Sequence, residues 1–195
     1  MLNVQQIFAK NRYVNRNWGR EEPVMSNNLG NTALEFRNAL RGVASSVTII
    51  TTFDGSLRHG MVATAFMSVS MEPPSLIIAV NKSASIHDQI TRRGAFVVNI
   101  LSRRDEEIAT GFGQSKGQDR FKFGDWSDWG TDVEHCALPY LTSASAAILC
   151  STNQIYDSHG THSLFVGDVV DVRISDDRSA LAYCHGTYGC FVSPQ

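Results

Sequence analysis

Residues 60–75 of this chain, GMVATAFMSVSMEPPS, carry small and hydroxyl side chains where a core strand usually carries Val, Ile or Leu. The segment begins at a glycine and ends at the pair Pro73-Pro74. Small side chains allow a flat ligand to approach the backbone, whose N–H and C=O groups can then bind a heteroaromatic edge. Taken alone, the segment is better explained as a short polar-faced strand followed by a loop. A ligand-binding role needs support from the rest of the chain.

The composition limits the domain count and the kinds of partner. The 195 residues suffice for one domain with a sizeable core and would be cramped as two. Charged residues make up 18%, below the usual quarter or so, and we therefore expect a homodimer that buries part of the surface. The net charge of -2 gives no electrostatic reason to expect nucleic acid or membrane binding. No apolar run approaches the roughly 20 residues of a membrane-spanning helix.

The four cysteines indicate a reducing compartment. Cys136, Cys150, Cys184 and Cys190 form no CxxC pair, and we find no secretory signal before them. Neither a disulfide framework nor a zinc site is therefore expected. We predict free thiols in a cytoplasmic protein, with Cys150 as a small core residue.

The first third of the chain is predicted to contain a leader, a helix and a hairpin. Residues 1–32 are polar, rich in Asn and Arg, and expected to be a poorly ordered leader before a domain at 33–195. Thr32 and Glu35 have the spacing of a capping box, which predicts a short helix over 33–43. The run VTIITTF at 47–53 is β-branched and aromatic, and Asp54-Gly55 is a hairpin turn signal before a return strand at 59–65.

The remainder alternates further strands with two helices. Ser85 and Asp88 have capping spacing before a predicted helix at 86–93, which Gly94 ends, and a second, amphipathic helix is predicted at 104–112. Residues 114–140 are predicted to be a long loop, in which Trp126 and Trp129 are candidate dimer contacts. Strands are predicted at 75–80, 95–101, 146–155, 163–174 and 181–183, before a Gly-rich tail at 186–191. In the strand at 163–174, one predicted face carries Leu164, Val166, Val170 and Val172.

These elements predict a mainly β fold. Strands outnumber helices and no βαβ repeat is evident, which favours a closed or split β-barrel with short helices over a doubly wound sheet.

Five segments of the chain together resemble the flavin reductase-like family, the small NAD(P)H:flavin oxidoreductases that serve two-component flavin monooxygenases. They occur in the family's order and span most of residues 36–188: FRNALRGVASSVTIITT (36–52), HGMVATAFMSVSMEPP (59–74), NKSAS (81–85), FVVNIL (96–101) and GTHSLFVGDV (160–169). The resemblance implies an FMN-binding split β-barrel, FMN or FAD and NADH or NADPH as cofactors, and a homodimer with flavin near the subunit interface.

The resemblance also implies which residues bind the flavin. The isoalloxazine ring and ribityl chain are expected to contact Val62, Ala63, Thr64, Ala65, Phe66, Ser68 and Val69. The phosphate and adenylate side is expected along residues 83–90, at Ser83, Ala84, Ser85, Ile86, His87 and Ile90. A helix N-terminus there would offer unsatisfied N–H groups, and Lys82, Ser83 and Ser85 would add donors. Alternatively, Ser85 only caps its own helix.

Two further residues are similar to residues of the family's nicotinamide site. His162 lies in Gly160-Thr161-His162, where the family pattern is commonly Gly-Asp-His. Thr161 in the middle place weakens any role that needs a carboxylate there, but the imidazole of His162 resembles the group that contacts the nicotinamide nucleotide. Tyr188 is similar to an aromatic residue that closes the site. His159 and His162 also form an HxxH pair, but without a third ligand at usable spacing a metal site is not expected.

The implied reaction is hydride transfer from C4 of NAD(P)H to N5 of flavin, with the protein stacking the two rings and excluding water. No protein nucleophile is required, and we assign no catalytic residue. Reduced flavin would then pass to a flavin-dependent monooxygenase. Two alternatives remain open: a non-catalytic flavin-binding or electron-carrier protein with the same barrel, and an interaction module that has lost its flavin.

Overall fold

The structure, a computed structural model, describes residues 29–130, 137–157, 160–177 and 179–191. The chain divides into two compact units, 1–38 and 39–195. Residues 1–28, which make up most of the leader predicted at 1–32, belong to the first unit and lie outside the described residues. The second unit contains all of the described strands, and the predicted mainly β class is confirmed.

The first helix, α1, spans Leu29–Arg41 and starts four residues before the predicted position 33. Thr32 lies inside the helix and does not cap it. Glu35, which a capping box would direct to the backbone, instead accepts a 2.8 Å hydrogen bond from the side-chain amide of Asn31. This i,i+4 pair sits within a helical turn, where such contacts are favourable, and explains why the Thr32–Glu35 spacing did not mark the helix start.

The described strands are, in order, β1 Ser45–Ser46, β2 Thr48–Phe53, β3 Arg58–Ala63, β4 Phe66–Met71, β5 Pro74–Asn81, β6 Ala95–Ile100, β7 Trp126–Trp129, β8 Leu138–Leu141, β9 Ala146–Tyr156, β10 His162–Ile174, β11 Leu181–Cys184 and β12 Thr187–Cys190. Two further α-helices are α2, His87–Arg93, and α3, Glu106–Gln114. The hairpin predicted at Asp54-Gly55 is present between β2 and β3. The Asp54 carboxylate accepts hydrogen bonds from the backbone N–H groups of Ser56 and Leu57, both at 2.8 Å, which fixes this turn.

Seven strands form one antiparallel sheet in the order β3-β2-β6-β9-β10-β5-β4. Its two edge strands, β3 and β4, are consecutive in the chain and are joined by only Thr64 and Ala65. Three Cα–Cα steps span at most about 11 Å, so the opposite edges of the sheet must meet at this link. The sheet therefore curls into a barrel. At Thr64 and Ala65 the two edge strands are joined by the chain itself and not by ladder hydrogen bonds, and we call this gap in the ladder the split of the barrel. The split falls inside the segment 60–75.

Strand β4 was not predicted as a strand, because its residues do not have the composition of a core strand. It is an edge strand that pairs only with β5, and a register shift interrupts this pairing between Ser68 and Ser70. Met67, Ser68 and Val69 are exposed. Short, bulged edge strands tolerate polar and small residues, and the same residues that suggested a loop are compatible with this position.

Strand β10 departs from simple alternation. Its ladder with β9 shifts register between Val166 and Gly167 and again between Val169 and Asp171. The first shift leaves Asn153 of β9 unpaired, and the second leaves Val170 of β10 unpaired. Leu164 and Val166 therefore share a face as predicted, whereas the extra residue at Val170 changes the alternation before Val172, so the predicted common face does not extend to Val172. At Gly167 an added Cβ would lie 2.7 Å from the Phe96 ring and 2.8 Å from the Cys150 Cβ, and only glycine fits there.

The predicted long loop at 114–140 is also partly structured. Strands β7 and β8 pair as a separate two-stranded sheet. Trp126 packs against the rings of Phe112 and Phe121, with centroids 5.5 and 5.0 Å apart, and Trp129 is buried. These four-residue strands are held by tertiary aromatic contacts and lack the alternation that reveals a strand in sequence. Trp129 is thus enclosed within the subunit, whereas Trp126 is half-buried and stays a candidate dimer contact.

The Gly-rich tail forms the second strand of a hairpin. Strands β11 and β12 pair around His185-Gly186, which both have positive φ, 51° and 86°. Two consecutive positive-φ residues form the tight turn that suits a two-residue hairpin loop. Strand β1 pairs with β11 on the other side, so a separate three-stranded sheet forms in the order β1-β11-β12.

Candidate functional site

A cleft of about 190 Å³ lies beside the split of the barrel. The end of strand β3 and the β11–β12 hairpin form its walls. Its lining residues are Val47, Val62, Ala63, Thr64, Tyr183 and Tyr188. Strand β3 is half-buried, and the chain leaves it through Thr64, which lines the cleft opposite the two tyrosine side chains.

The backbone around Thr64 is held on both sides. The Thr48 hydroxyl donates a 2.8 Å hydrogen bond to the carbonyl of Ala63. The carbonyl of Ala65 accepts a 3.0 Å hydrogen bond from the N–H of Ala79 on β5. Ala63 is buried, whereas Thr64 and Ala65 are exposed. The link between the two sheet edges thus presents small side chains on an anchored backbone, a surface that a planar group can approach closely.

The aromatic side of the cleft is a tyrosine pair. Tyr183 and Tyr188 are directly opposite each other in the β11–β12 ladder. Their ring centroids are 5.2 Å apart with the planes at 61°, an edge-to-face arrangement. Tyr188 is one of the predicted site residues, and Tyr183 was missed. The His185-Gly186 dipeptide between the two tyrosines was the available signal, because a tight turn there brings both rings to one face of a hairpin.

The predicted flavin-ring residues fall into two groups. Val62, Ala63 and Thr64 line the cleft together with Tyr188. The other four do not line it and lie beside or on β4: Ala65, Phe66, Ser68 and Val69. Of these, Phe66 packs against the main core cluster, while Ser68 and Val69 are exposed.

The second predicted segment contains a short helix that is anchored by apolar side chains. Ile86 and Ile90 are fully buried in the same core cluster as Ala63, and Ala84 packs against that cluster. Only backbone groups and polar side chains of this segment therefore face solvent. The residue at the N-cap of α2 is Ile86, without a side-chain capping bond, so the prediction that Ser85 caps its helix is wrong. Gly94 ends α2 as predicted, with φ of 70° and its N–H bonded to the Ile90 carbonyl at 2.8 Å.

The polar groups of this segment are arranged by internal hydrogen bonds. The backbone N–H and the hydroxyl of Ser83 both donate to Asn81 Oδ1, at 2.9 and 2.8 Å. The Lys82 ammonium lies 3.0 Å from Asp157 Oδ1 and donates a 2.8 Å bond to the Asp157 carbonyl. His87 Nε2 lies 2.8 Å from the hydroxyl of Ser163. The segment therefore has a defined geometry without any ligand.

His162 lies next to this segment. It is the exposed first residue of β10 and pairs with Asn81, and its Nδ1 is 2.9 Å from the Thr161 hydroxyl. The Lys82 N–H donates a 2.9 Å bond to the Thr161 carbonyl. The structure thus brings His162 and Lys82 to the same end of the neighbouring strands β10 and β5. His159, the other histidine of the HxxH pair, lies outside the described residues.

No group of three or more potential metal ligands occurs in the part of the chain that the structure describes. None of the helices in the described ranges is long and apolar enough to cross a bilayer. The cleft combines small side chains, an anchored backbone and an aromatic wall. These features fit a flat heteroaromatic cofactor that carries its own chemistry.

Comparisons with known proteins agree with this geometry. A family model described as "Flavin reductase like domain" matches residues 40–190. The FMN reductase (NADH) RutF of Pseudomonas syringae pv. syringae (strain B728a) is 37% identical over 151 residues, which is 77% of this chain and 82% of that protein. The reductase component of the FADH(2)-dependent resorcinol hydroxylase of Rhizobium sp. (strain MTP-10005) is 36% identical over 162 residues, 82% of this chain and 87% of that protein.

Solved structures give the same result. The Streptomyces globisporus C-1027 NADH:FAD oxidoreductase SgcE6, in complex with NAD and FAD fragments, superposes with a TM-score of 0.73 at 28% identity and covers 83% of this chain and 94% of its own. The family model covers most of the chain, and two relatives exceed 30% identity over more than three quarters of it. The chain therefore belongs to the flavin reductase-like domain family.

Proposed function

We propose that this protein is an NAD(P)H-dependent flavin reductase that supplies reduced FMN or FAD to a partner monooxygenase. The observation that carries this proposal is the cleft at the split of the barrel, where the anchored backbone of Ala63 and Thr64 faces the Tyr183–Tyr188 pair. The family assignment and the relatives' names support the same reaction, since they include an FMN reductase (NADH) and the reductase component of an FADH(2)-dependent resorcinol hydroxylase.

The residues of the chain then bind and orient two cofactors. Val62, Ala63 and Thr64 would hold the flavin ring through shape and backbone contacts, and Tyr188 would close the cleft over it. When bound, the flavin supplies the acceptor for a hydride from the nicotinamide. The protein needs no nucleophile for this transfer, and we assign none.

The remaining polar groups would bind the charged parts of the cofactors. Lys82, Ser83 and Ser85 are exposed and lie on the segment proposed for the flavin phosphate. His162 is exposed at the neighbouring strand start, where its imidazole can bind the nicotinamide nucleotide by a hydrogen bond. Lys82 and His162 lie at neighbouring strand ends, so the flavin phosphate and the nicotinamide nucleotide would bind at the same end of the barrel.

We further propose that the protein is a homodimer. The surface that supports this is the edge strand β4, where Met67, Val69 and Met71 are 62%, 54% and 76% exposed. An unpaired edge that exposes three large apolar side chains is a typical contact surface between subunits. Light scattering should give twice the mass of one chain, and Met67→Glu should shift the protein toward the monomer. A monomeric wild-type protein at micromolar concentration would rule out this assembly.

A cytoplasmic location is part of the same proposal. Cys150, Cys184 and Cys190 are free thiols in the structure, and reduced thiols are typical of proteins kept in a reducing compartment.

The test is a steady-state assay of NADH and NADPH oxidation with FMN, FAD and riboflavin. We expect oxidation of the nicotinamide that depends on added flavin, measured by the loss of the absorbance of the reduced nicotinamide. A protein that binds flavin and oxidises neither nicotinamide would be a flavin-binding or electron-carrier protein instead. A protein with no flavin-dependent thermal shift would be an interaction module, and either result would overturn the reductase proposal.

A further inference from the structure

A continuous set of hydrogen bonds connects Lys82 to His87 through Asp157, which follows strand β9, and Ser163 of strand β10. The Lys82 ammonium contacts Asp157 through its carboxylate at 3.0 Å and its carbonyl at 2.8 Å. The same carboxylate oxygen, Asp157 Oδ1, is 2.6 Å from the Ser163 hydroxyl. The Ser163 hydroxyl is 2.8 Å from His87 Nε2. We call these four residues the Lys82–His87 network.

The chemistry of the partners determines where the hydrogens lie. A carboxylate can only accept, so the hydroxyl hydrogen of Ser163 is donated to Asp157. Ser163 then has only lone pairs left for His87, and we assign His87 Nε2–H as the donor to Ser163. The other ring nitrogen, His87 Nδ1, lies 3.0 Å from the exposed carboxylate of Asp88. The hydrogen bond from Ser163 first, and then Lys82, lower the pKa of the Asp157 carboxyl below its ordinary value, which keeps the acceptor ionised.

The Ser163–His87 pair is not a hydrolytic nucleophile and base. Ser163 is fully buried, so no substrate carbonyl can reach its oxygen. Its hydrogen is directed at Asp157 and away from His87, the reverse of the arrangement in which a histidine accepts a serine proton. The network therefore has another role.

That role follows from the elements that the network joins. His87 begins α2, Ser163 is the second residue of β10, Asp157 follows β9 and Lys82 follows β5. The His87 ring also lies edge-on to Phe165, with centroids 5.4 Å apart, and Phe165 is fully buried. The network thus holds the Asp157 carboxylate from the core side through Ser163 and His87. The Asp157 and Lys82 side chains, 63% and 37% exposed, form its solvent end.

We propose that Ser163 and His87 are positioning residues that hold Asp157 as a fixed counter-ion and thereby set the position of the Lys82 ammonium for a flavin phosphate group. This inference rests on the proposed function, which places the flavin phosphate beside Lys82. A lysine has a long, flexible stem with several rotatable bonds, and holding its ammonium in place before binding lowers the entropy lost on binding. Ser163 and His87 affect only the phosphate end and do not contact the ring.

The test compares two flavins that differ in the phosphate. FMN carries a phosphate and riboflavin does not, so the ratio of their dissociation constants isolates this end of the site. Ser163→Ala removes the hydrogen bond to Asp157 with little change in volume. We expect it to weaken FMN binding about tenfold, the size expected for losing a hydrogen bond to a charged group, and to leave riboflavin binding unchanged.

A double-mutant cycle with Lys82→Ala shows whether the effect passes through the lysine. If Ser163 acts by positioning Lys82, then Ser163→Ala should have no further effect on FMN affinity once Lys82 is gone. His87→Gln retains an N–H donor and should preserve FMN affinity better than His87→Ala. Thermal unfolding of each variant identifies any that fails to fold. If His87→Ala is unstable, the FMN and riboflavin affinities of Ser163→Ala and His87→Gln still test the positioning role.

The outcomes separate this inference from the function on which it rests. Equal losses for FMN and riboflavin, or additive effects of Ser163→Ala and Lys82→Ala, would overturn the positioning role while flavin reduction stands. A wild-type protein that binds FMN no better than riboflavin would also overturn it and leave the reductase proposal intact. A wild-type protein that binds neither flavin would overturn the proposed function itself, and the positioning role with it.

Discussion

The hydroxyl of Thr48 donates a 2.8 Å hydrogen bond to the carbonyl oxygen of Ala63, its direct partner in the β2–β3 ladder. Both residues are buried, and Ala63 is the last residue before the split of the barrel. This bond holds the strand end from which Thr64 enters the cleft. Thr48, which does not line the cleft, therefore fixes the backbone position of Ala63, one of the residues of the proposed flavin site.

Replacing Thr48 by Val should loosen this strand end. The isosteric change leaves the side-chain bond to the Ala63 carbonyl unmade in a buried position, which costs about 1–3 kcal/mol of unfolding free energy. We expect a lower denaturant midpoint and weaker flavin binding, measured by fluorescence quenching. Thr48→Ser keeps the hydroxyl and is the matched control. Equal stability of the Val and Ser variants would contradict a role for this bond.

Adding bulk at Ala65 should exclude flavin. Ala65 is exposed at the link between the sheet edges, and its carbonyl is anchored to Ala79. A Leu side chain in Ala65→Leu would overlap a ring that approaches this backbone, and we expect flavin affinity to fall on the order of tenfold or more. Ala65→Ser, which changes the size little, should retain affinity. Unchanged binding by a folded Ala65→Leu variant would remove this residue from the proposed site.

The sequence predicted the strongly patterned elements and missed those that depend on tertiary contacts. The β-branched run that became β2 and the Gly94 stop of α2 were correctly predicted, because each carries its own local signal. Strand β4 and the β7–β8 pair were missed, because an exposed bulged edge and aromatic packing between distant residues leave no period in the sequence.

The candidate site shows the same division. The resemblance to a family supplied Val62, Ala63, Thr64 and Tyr188, and the structure brings these four together in one cleft. Tyr183 and Ser163 were not predicted. Ser163 is buried and polar, and nothing in its local sequence shows that Asp157 and His87 lie within hydrogen-bonding distance.

Tyr183 should orient Tyr188. Their edge-to-face contact, with centroids 5.2 Å apart, is worth about 0.5–1.5 kcal/mol beyond the buried area. Tyr183→Ala should therefore free the Tyr188 ring and weaken flavin binding several-fold, whereas Tyr183→Phe retains the ring and serves as the control. Isothermal titration with FMN would measure both. Affinity that is the same in the Ala and Phe variants would show that Tyr183 does not shape the cleft.

Cys150 should make the protein sensitive to alkaline pH. Burial, with a smaller contribution from the Asp168 charge, raises the pKa of the Cys150 thiol from 9.0 to about 12. Because the unfolded chain ionises first, the contribution of this thiol to stability is complete below pH 9.0 and is lost as the pH rises toward about 12.

The measurement is the free energy of unfolding of wild type and Cys150→Ala between pH 7 and 11 or so. The variant is expected to be less stable at neutral pH because it leaves a small cavity, and to lose less stability on the alkaline side. Cys184→Ala, at a half-buried thiol, is the control for thiol removal. Parallel pH curves for wild type and Cys150→Ala would contradict the raised pKa.

His162 should bind the nicotinamide nucleotide without taking part in proton transfer. It is exposed at the first position of β10 and pairs with Asn81, next to Lys82. A residue at the start of a strand is carried by a rigid element, so its imidazole has a defined direction of approach. We expect His162→Ala to raise KM for NADH and to lower kcat/KM by an amount equivalent to about 1–3 kcal/mol, with little change in flavin affinity.

The control is His162→Gln, which keeps a hydrogen-bonding side chain and should lower kcat/KM less than His162→Ala does. If His162→Ala retains wild-type kcat/KM for the nicotinamide, then His162 is a structural residue of the strand end, and the nucleotide site must be sought around Tyr188 and the β11–β12 hairpin.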